Sequence, residues 1–118
     1  MADVEAHRAL VLAFCKAFYD EKDYPRASAM LAPDFVNHHP GAGVGAAATV
    51  RSFRAAVGDR FPGFTLDVRR TLAEGDQVWT HSLVRLEPAG AATAEVVDMW
   101  RIAGGLIAEH WDVAGSPA

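Results

Sequence analysis

The sequence predicts an α+β domain, with helices packed on one face of a mostly antiparallel sheet. Three observations carry this. In the first half of the chain, apolar residues recur at three- and four-residue steps, the period of a helix. In the second half they alternate every second residue, the period of a strand. The helical segments come first and the strand segments follow as a run, the order of an α+β chain rather than an alternating α/β one.

Residues 3–20 carry Val4, His7, Leu10, Val11, Phe14, Cys15 and Phe18 on one helical face. Asp3 and Glu5 suit the positive end of that helix. After a turn at Glu21-Lys22-Asp23, Asp23 is placed to cap a short second helix with Pro25 in its first turn. Ala27, Met30 and Leu31 give it an apolar face, and Pro33 is expected to stop it. Phe35-Val36-Asn37-His38-His39-Pro40 reads as extended, broken by Gly41-Ala42-Gly43. Ala46, Ala47, Val50, Phe53 and Val57 return to the helical period, and Gly58 is a natural stop. Phe61-Pro62-Gly63 is a turn. Phe64, Leu66, Val68 and Leu72 then alternate with Thr65, Asp67, Arg69 and Thr71, as in a strand. Glu74-Gly75-Asp76 turns the chain into a strand at 77–87, and 88–93 is a loop. Strands at 95–102 and 106–113 flank a hairpin turn at Ala103-Gly104-Gly105.

The bulk composition narrows the class. A chain of 118 residues fits one domain, 1–118, and 51% hydrophobic with 22% charged residues is ordinary globular usage. The net charge of −4 comes without a basic stripe, so nucleic acid is not expected as a partner. No apolar run approaches the roughly 18 residues of a membrane span. The first residues lack the basic start and apolar run of a signal peptide, so the expected location is the cytoplasm. The single cysteine, Cys15, allows no internal disulfide and reads as core packing.

The chemistry is concentrated in the last strands. In 95–102, one face carries Val96, Asp98, Trp100 and Ile102, an apolar face holding a carboxylate. A buried carboxylate needs a partner or a raised pKa, and such a group can act as a general acid or base. In 106–113, His110 and Asp112 share a face, so a hairpin can bring His110 to Asp98. His81 sits with Trp79 and Leu83 on the neighbouring strand and becomes a further candidate. His38 and His39 must point to opposite sides, and alternation alone does not say which enters a pocket. None of these histidines has a metal-ligand spacing, so no metal is expected. No phosphate loop or nucleophile elbow is present. Tyr19 and Tyr24 read first as amphipathic edge packing, with a hydroxyl aimed at a pocket mouth as the sharper alternative. Val97, Met99, Ile107 and Trp111 fall on the reverse face, where a second subunit would cover them, so a homodimer through the sheet is expected.

Four blocks then carry a family resemblance: Asn37-His38-His39-Pro40-Gly41, the run from Glu74 to His81, the run from Val97 to Ile102, and Glu109-His110-Trp111-Asp112 with its flanks. Together they resemble the SnoaL-like polyketide cyclase family. The resemblance implies the cone-shaped fold of nuclear transport factor 2 and ketosteroid isomerase, helices on a strongly curved sheet. It implies an acid/base role for Asp98 and pocket positions for His38, His81 and His110, with no cofactor. His39 stands where the family often has Asn, and where ketosteroid isomerase-like relatives hold a carboxylate base. That makes it a pocket residue and a candidate base. The implied chemistry is aldol cyclisation or isomerisation of a small hydrophobic carbonyl compound. Trp79, Trp100, Phe14, Phe53 and Asp112 are expected to contact it. The competing reading is a non-catalytic binding module for a small apolar ligand. A limonene-epoxide-hydrolase-like site would need an arginine two residues before Asp98, where Val96 stands.

Overall fold

The protein is described by a computed structural model covering residues 3–117. Helix α1, Val4–Cys15, opens with Asp3, whose Oδ1 accepts the Ala6 amide at 3.0 Å. Such a cap contributes about 1 kcal/mol. The helix runs on as a π turn, Lys16–Asp20, which the smooth sequence pattern does not reveal. Helix α2 is Tyr24–Ser28, capped by Asp23. It ends before Pro33, which lies instead within strand β1, Leu31–Asn37, at the edge of the sheet. An edge strand tolerates proline because one side of its backbone needs no partner. Helix α3, Ala46–Phe53, also ends in a π turn, Arg54–Gly58.

Strands β2 (Thr65–Glu74), β3 (Gln77–Arg85), β4 (Ala94–Ala103) and β5 (Leu106–Gly115) form an antiparallel meander. Strand β1 adds to β5 in parallel, giving the order β1-β5-β4-β3-β2. Gly104 and Gly105 close the β4–β5 hairpin with φ of +59° and +77°. Two consecutive positive φ values are what a two-residue turn matching the strand twist requires.

Two bulges override simple alternation. Register slips between Val68 and Arg70, so Leu72 turns outward and is 75% exposed, while Ala73 packs on the core. A second slip pairs Ile102 with Ile107 but Arg101 with Glu109, leaving Ala108 as the extra residue. Ile107 therefore lies in the core, fully buried, and not on the reverse face expected for it. One inserted residue reverses every side chain beyond it.

The core lies between the helices and the sheet. Val11, Phe14 and Phe18 of the first helical segment meet Val78, Val96, Trp100 and Ile102. Towards the other end of the same face, this packing gives way to a cavity.

Candidate active site

The site is built on β4, β5 and the end of β1. Asp98 and Asp112 are direct cross-strand partners, so they share the face turned to the helices. His110 lies one cross-strand pair away on the same face, opposite Trp100. Asn37 pairs with His110 across the parallel β1–β5 contact. Alternation then sends His38 outward and brings His39 back inward.

Among these side chains runs a chain of hydrogen bonds. The backbone N–H of His39 donates to Asn37 Oδ1 at 2.9 Å, which fixes the orientation of that amide. His110 Nδ1 lies 2.9 Å from the same oxygen, so Nδ1 carries the proton and donates it. The other ring nitrogen, Nε2, stands 2.7 Å from Asp98 Oδ1. A neutral imidazole protonated at Nδ1 can only accept at Nε2, so the neutral pair places its proton on Asp98. Asp98 and His110 are each only 3% exposed. Burial pushes the Asp98 carboxyl above its ordinary pKa, the His110 hydrogen bond and charge pull it back, and Asp112 adds to the rise. The net direction is upward, which favours the acid form.

A second imidazole–carboxylate pair stands beside the first. His39 Nδ1 donates to Asp112 Oδ2 at 2.7 Å. This pair is more open, with the His39 side chain 56% exposed. Asp98, His110 and Asp112 also bring donor atoms within 4.8 Å of one another, but the Nε2 lone pair of His110 is engaged by the Asp98 carboxyl.

These groups form the polar end of a cavity of about 210 Å³. Phe53, Val57, Phe64, Leu66, Val84 and Val96 give it apolar walls. Ala42, 4% exposed in the turn after β1, closes one side. Both π turns border it, through Phe18 and Tyr19 from one and Ala56 and Val57 from the other. Such turns recur at functional sites. The Tyr19 phenol is pushed well up in pKa, by burial first and then by Asp98, Cys15 and Asp112, so it is held as a proton donor. Cys15 is likewise pushed up, by burial and then Asp98, which leaves a neutral thiol in the core.

The structure brings together Asp98, His110, His39, Asp112 and Phe53 of the residues expected at the site. It places the others elsewhere. His81 stands opposite Val97, not Asp98, and bonds to Glu95 on the outer face. Trp79 stands opposite Met99 on that same face, 45% exposed. The cross-strand partner of Asp98 is Thr80, so it is the even-numbered residues of β3 that face the helices. His38 also faces outward, its Nε2 2.6 Å from Glu109 and its ring stacked on Trp111 at 5.0 Å. Phe14 and Trp100 are on the inner face but behind the cavity wall. Trp100 is held between Phe14 and His110, with ring centroids at 5.4 and 4.2 Å, and its Nε1 donates to Thr80 Oγ1 at 3.2 Å. Their part is to support the wall.

Asn37 is a site residue that the sequence reasoning passed over, and Tyr19 is one that it read first as edge packing, with a hydroxyl at a pocket mouth as the alternative. Asn37 sits two residues before His39 on an extended segment, and that spacing alone puts both on one side. The helical stripe favours edge packing for Tyr19 because its neighbour Phe18 continues that stripe. The π turn directs both inward.

Comparison with known proteins bears on this arrangement. The family model described as the SnoaL-like domain matches residues 11–110. Among curated proteins none matches the sequence at a significant level. Of solved structures, a candidate ketosteroid isomerase from Kribbella flavida DSM 17836 is 23% identical with a TM-score of 0.79, covering 100% of this chain and 84% of its own. A candidate polyketide cyclase from Acidithiobacillus ferrooxidans is 21% identical with a TM-score of 0.74, covering 97% and 91%. IdmH, a candidate polyketide cyclase from Streptomyces antibioticus, is 24% identical with a TM-score of 0.76, covering 92% and 91%. At these identities the likeness shows the fold, three helices on a five-stranded sheet of the nuclear transport factor 2 type. The family match spans most of the chain and includes Asn37, Asp98 and His110, and on it the chain belongs to the SnoaL-like domain family.

Proposed function

We propose that the pocket carries out cofactor-independent acid/base chemistry on a small hydrophobic carbonyl compound, of the isomerase or cyclase type. The observation that carries this is the buried Asp98–His110–Asn37 chain at the polar end of an apolar cavity. A carboxyl group in its acid form has one proton, which Asp98 holds against His110 Nε2 at rest and can turn to a carbonyl oxygen as an enolate develops there. Tyr19 supplies a second donor at the same end. The apolar walls hold the hydrocarbon body and exclude water, which strengthens both hydrogen bonds. The cavity lies below the roughly 300–1,000 Å³ usual for ligand pockets, which favours a one- or two-ring compound over a fused four-ring one.

Two probes test this. The protein is expected to convert 3-cyclohexen-1-one to its conjugated isomer, read by ultraviolet absorbance. It is also expected to speed deuterium uptake at C1 of 2-tetralone in deuterium oxide, read by NMR. No acceleration of either over buffer would overturn the proposal and favour a binding module.

We also propose that the protein works as a homodimer through the outer sheet face. Trp79, Met99 and Trp111 are successive cross-strand partners and form a continuous apolar row across β3, β4 and β5. Val97 and the exposed Val113 extend it along the strands. Three polar contacts on this face are already made, His38 and Arg101 with Glu109 and His81 Nε2 with Glu95, so a second copy need not leave those atoms bare. Sedimentation equilibrium is expected to give the dimer mass, and Trp79→Glu to weaken association at least about tenfold, or ~1.4 kcal/mol. A monomeric wild type at tens of micromolar would refute the dimer.

A further inference from the structure

Between the first π turn and α2 the chain bends at Glu21-Lys22-Asp23. There Lys22 has a φ of +54°, the only positive value outside glycine among the described residues. A residue with a side chain avoids that region unless its surroundings hold it there, and such outliers gather at functional sites. Lys22 is held by its own ammonium group. Nζ donates to the Tyr19 carbonyl oxygen at 3.1 Å and to the Phe64 carbonyl oxygen at 2.9 Å. It also stands 5.9 Å from the centre of the Phe64 ring. The Tyr19 carbonyl is in the last turn of its helix, where carbonyls lack helical partners. Asp20 makes a matching contact: its Oδ1 accepts the Leu66 amide of β2 at 2.9 Å. Lys22 and Asp20 thus tie the end of the π turn to the start of β2, across 42 and 46 positions of sequence. Tyr19, Phe64 and Leu66 all line the cavity, whereas Lys22 and Asp20 stand outside that lining.

We propose that Lys22 is a positioning residue: with Asp20 it clamps the π turn to β2 and so sets where the Tyr19 hydroxyl meets the substrate. This rests on the acid/base reading of the pocket, in which Tyr19 donates to the carbonyl oxygen, and adds what holds that donor in place. The Tyr19 hydroxyl has no hydrogen-bond partner among the described residues, so nothing fixes it at its own end. Its place depends on the ring and on the backbone that carries the ring. Phe14 and Phe53 hold the ring edge-on, with centroids 6.3 and 5.4 Å away. The clamp holds the backbone. The two contacts are complementary: one grips the Tyr19 carbonyl itself, the other the next residue along. The fold alone does not require a lysine at position 22, because glycine takes a positive φ without strain. A glycine there would leave both carbonyls without their donor. The strained lysine therefore has its explanation in what its side chain holds.

Lys22→Gly separates the backbone from the clamp. The variant should stay folded by circular dichroism, with an unfolding midpoint close to that of the wild type, because the strain at position 22 is relieved as the contacts are lost. Turnover of 3-cyclohexen-1-one should nonetheless fall, kcat by roughly tenfold or more and KM by no more than about threefold, as for a misplaced transition-state donor. Lys22→Arg, which can still donate to both carbonyls, should regain most of the activity. Asp20→Ala should lower kcat in the same way, and Asp20→Asn, whose amide oxygen still accepts the Leu66 N–H, should not. The Asp20 variants read the clamp without touching the backbone at position 22. In a Tyr19→Phe background the hydroxyl is gone, so Lys22→Gly should cost less than about twofold further. A residue that merely supports the fold would lower kcat alike in both backgrounds. If the wild type turns over the probe and Lys22→Gly keeps more than roughly a third of its kcat, or loses as much in the Tyr19→Phe background, this proposal falls and the acid/base reading stands. A wild type inactive on both 3-cyclohexen-1-one and 2-tetralone overturns the two together.

Discussion

Replacing Asp98 with Asn is expected to abolish most turnover, by roughly 10²–10⁴-fold, while the protein stays folded. The amide has the shape of the carboxyl, and its N–H can still donate to His110 Nε2, so the chain through His110 to Asn37 survives. What is lost is a proton that can move. The same substitution makes a prediction about stability, with a definite sign. Burial raises the Asp98 pKa in the folded protein, so at intermediate pH the native state binds more protons than the unfolded state. Stability contributed by the neutral carboxyl is therefore full at low pH. It declines as pH climbs from the ordinary aspartate range through the raised value. The Asn variant has no such decline, so its stability relative to the wild type should improve as pH rises through that window. Urea denaturation of both proteins at several pH values, beside turnover of 3-cyclohexen-1-one, measures the two effects. Undiminished turnover in a folded Asp98→Asn protein would contradict the assignment of Asp98 as the acid.

Trp100→Ala is expected to give the largest loss of stability, about 3–5 kcal/mol, as for other large buried aromatics. Trp100 is 1% exposed and fills the space between Phe14 and the His110 ring. Removing it opens a cavity and leaves the Thr80 hydroxyl without its donor. A loss of that size is a large share of the roughly 5–15 kcal/mol that holds a small domain together. Trp100→Phe keeps most of the packing and should lose far less. Thermal and urea unfolding of the two variants separate packing from the hydrogen bond. Near-equal stability of Trp100→Ala and the wild type would show that the ring is not the support assigned to it here.

How much could be read from the sequence varied with the range of the interaction. Alternation within β4 was enough to group Val96, Asp98, Trp100 and Ile102, because side-chain direction along one strand needs no knowledge of its neighbours. The closing hairpin was readable for the same reason: Gly104 and Gly105 fix its turn, and the turn sets which residues of β5 meet β4. The place of β3 was not readable in this way. Whether its odd or even residues join Asp98 depends on register across the β3–β4 loop, and the observed register sends His81 and Trp79 outward. Leu72 and Ile107 were misplaced because the first follows a bulge and the second comes just before one, and one extra residue leaves no mark in composition. His38 and His39 could not be separated until β1 was paired with β5. Depth was also invisible: Phe14 and Trp100 face the right way but lie behind the wall. The sheet and its helices were legible from period and family resemblance together, since both depend on patterns spread over many residues.

The parallel seam between β1 and β5 has a consequence for how the site comes into being. Asp98 and His110 belong to one hairpin, 12 residues apart, and can find each other as soon as that turn closes. Asn37 and His110 are 73 residues apart. Closing a loop of that length costs more chain entropy, and such long-range pairings form late in folding. A chain with its hairpin made and β1 still undocked would hold the carboxyl–imidazole contact but not the amide that decides where its proton sits. His39 would be absent from it altogether. The protein thus acquires its reactive protonation pattern only when distant parts of the chain meet, so partly folded molecules carry the residues of the site without its chemistry.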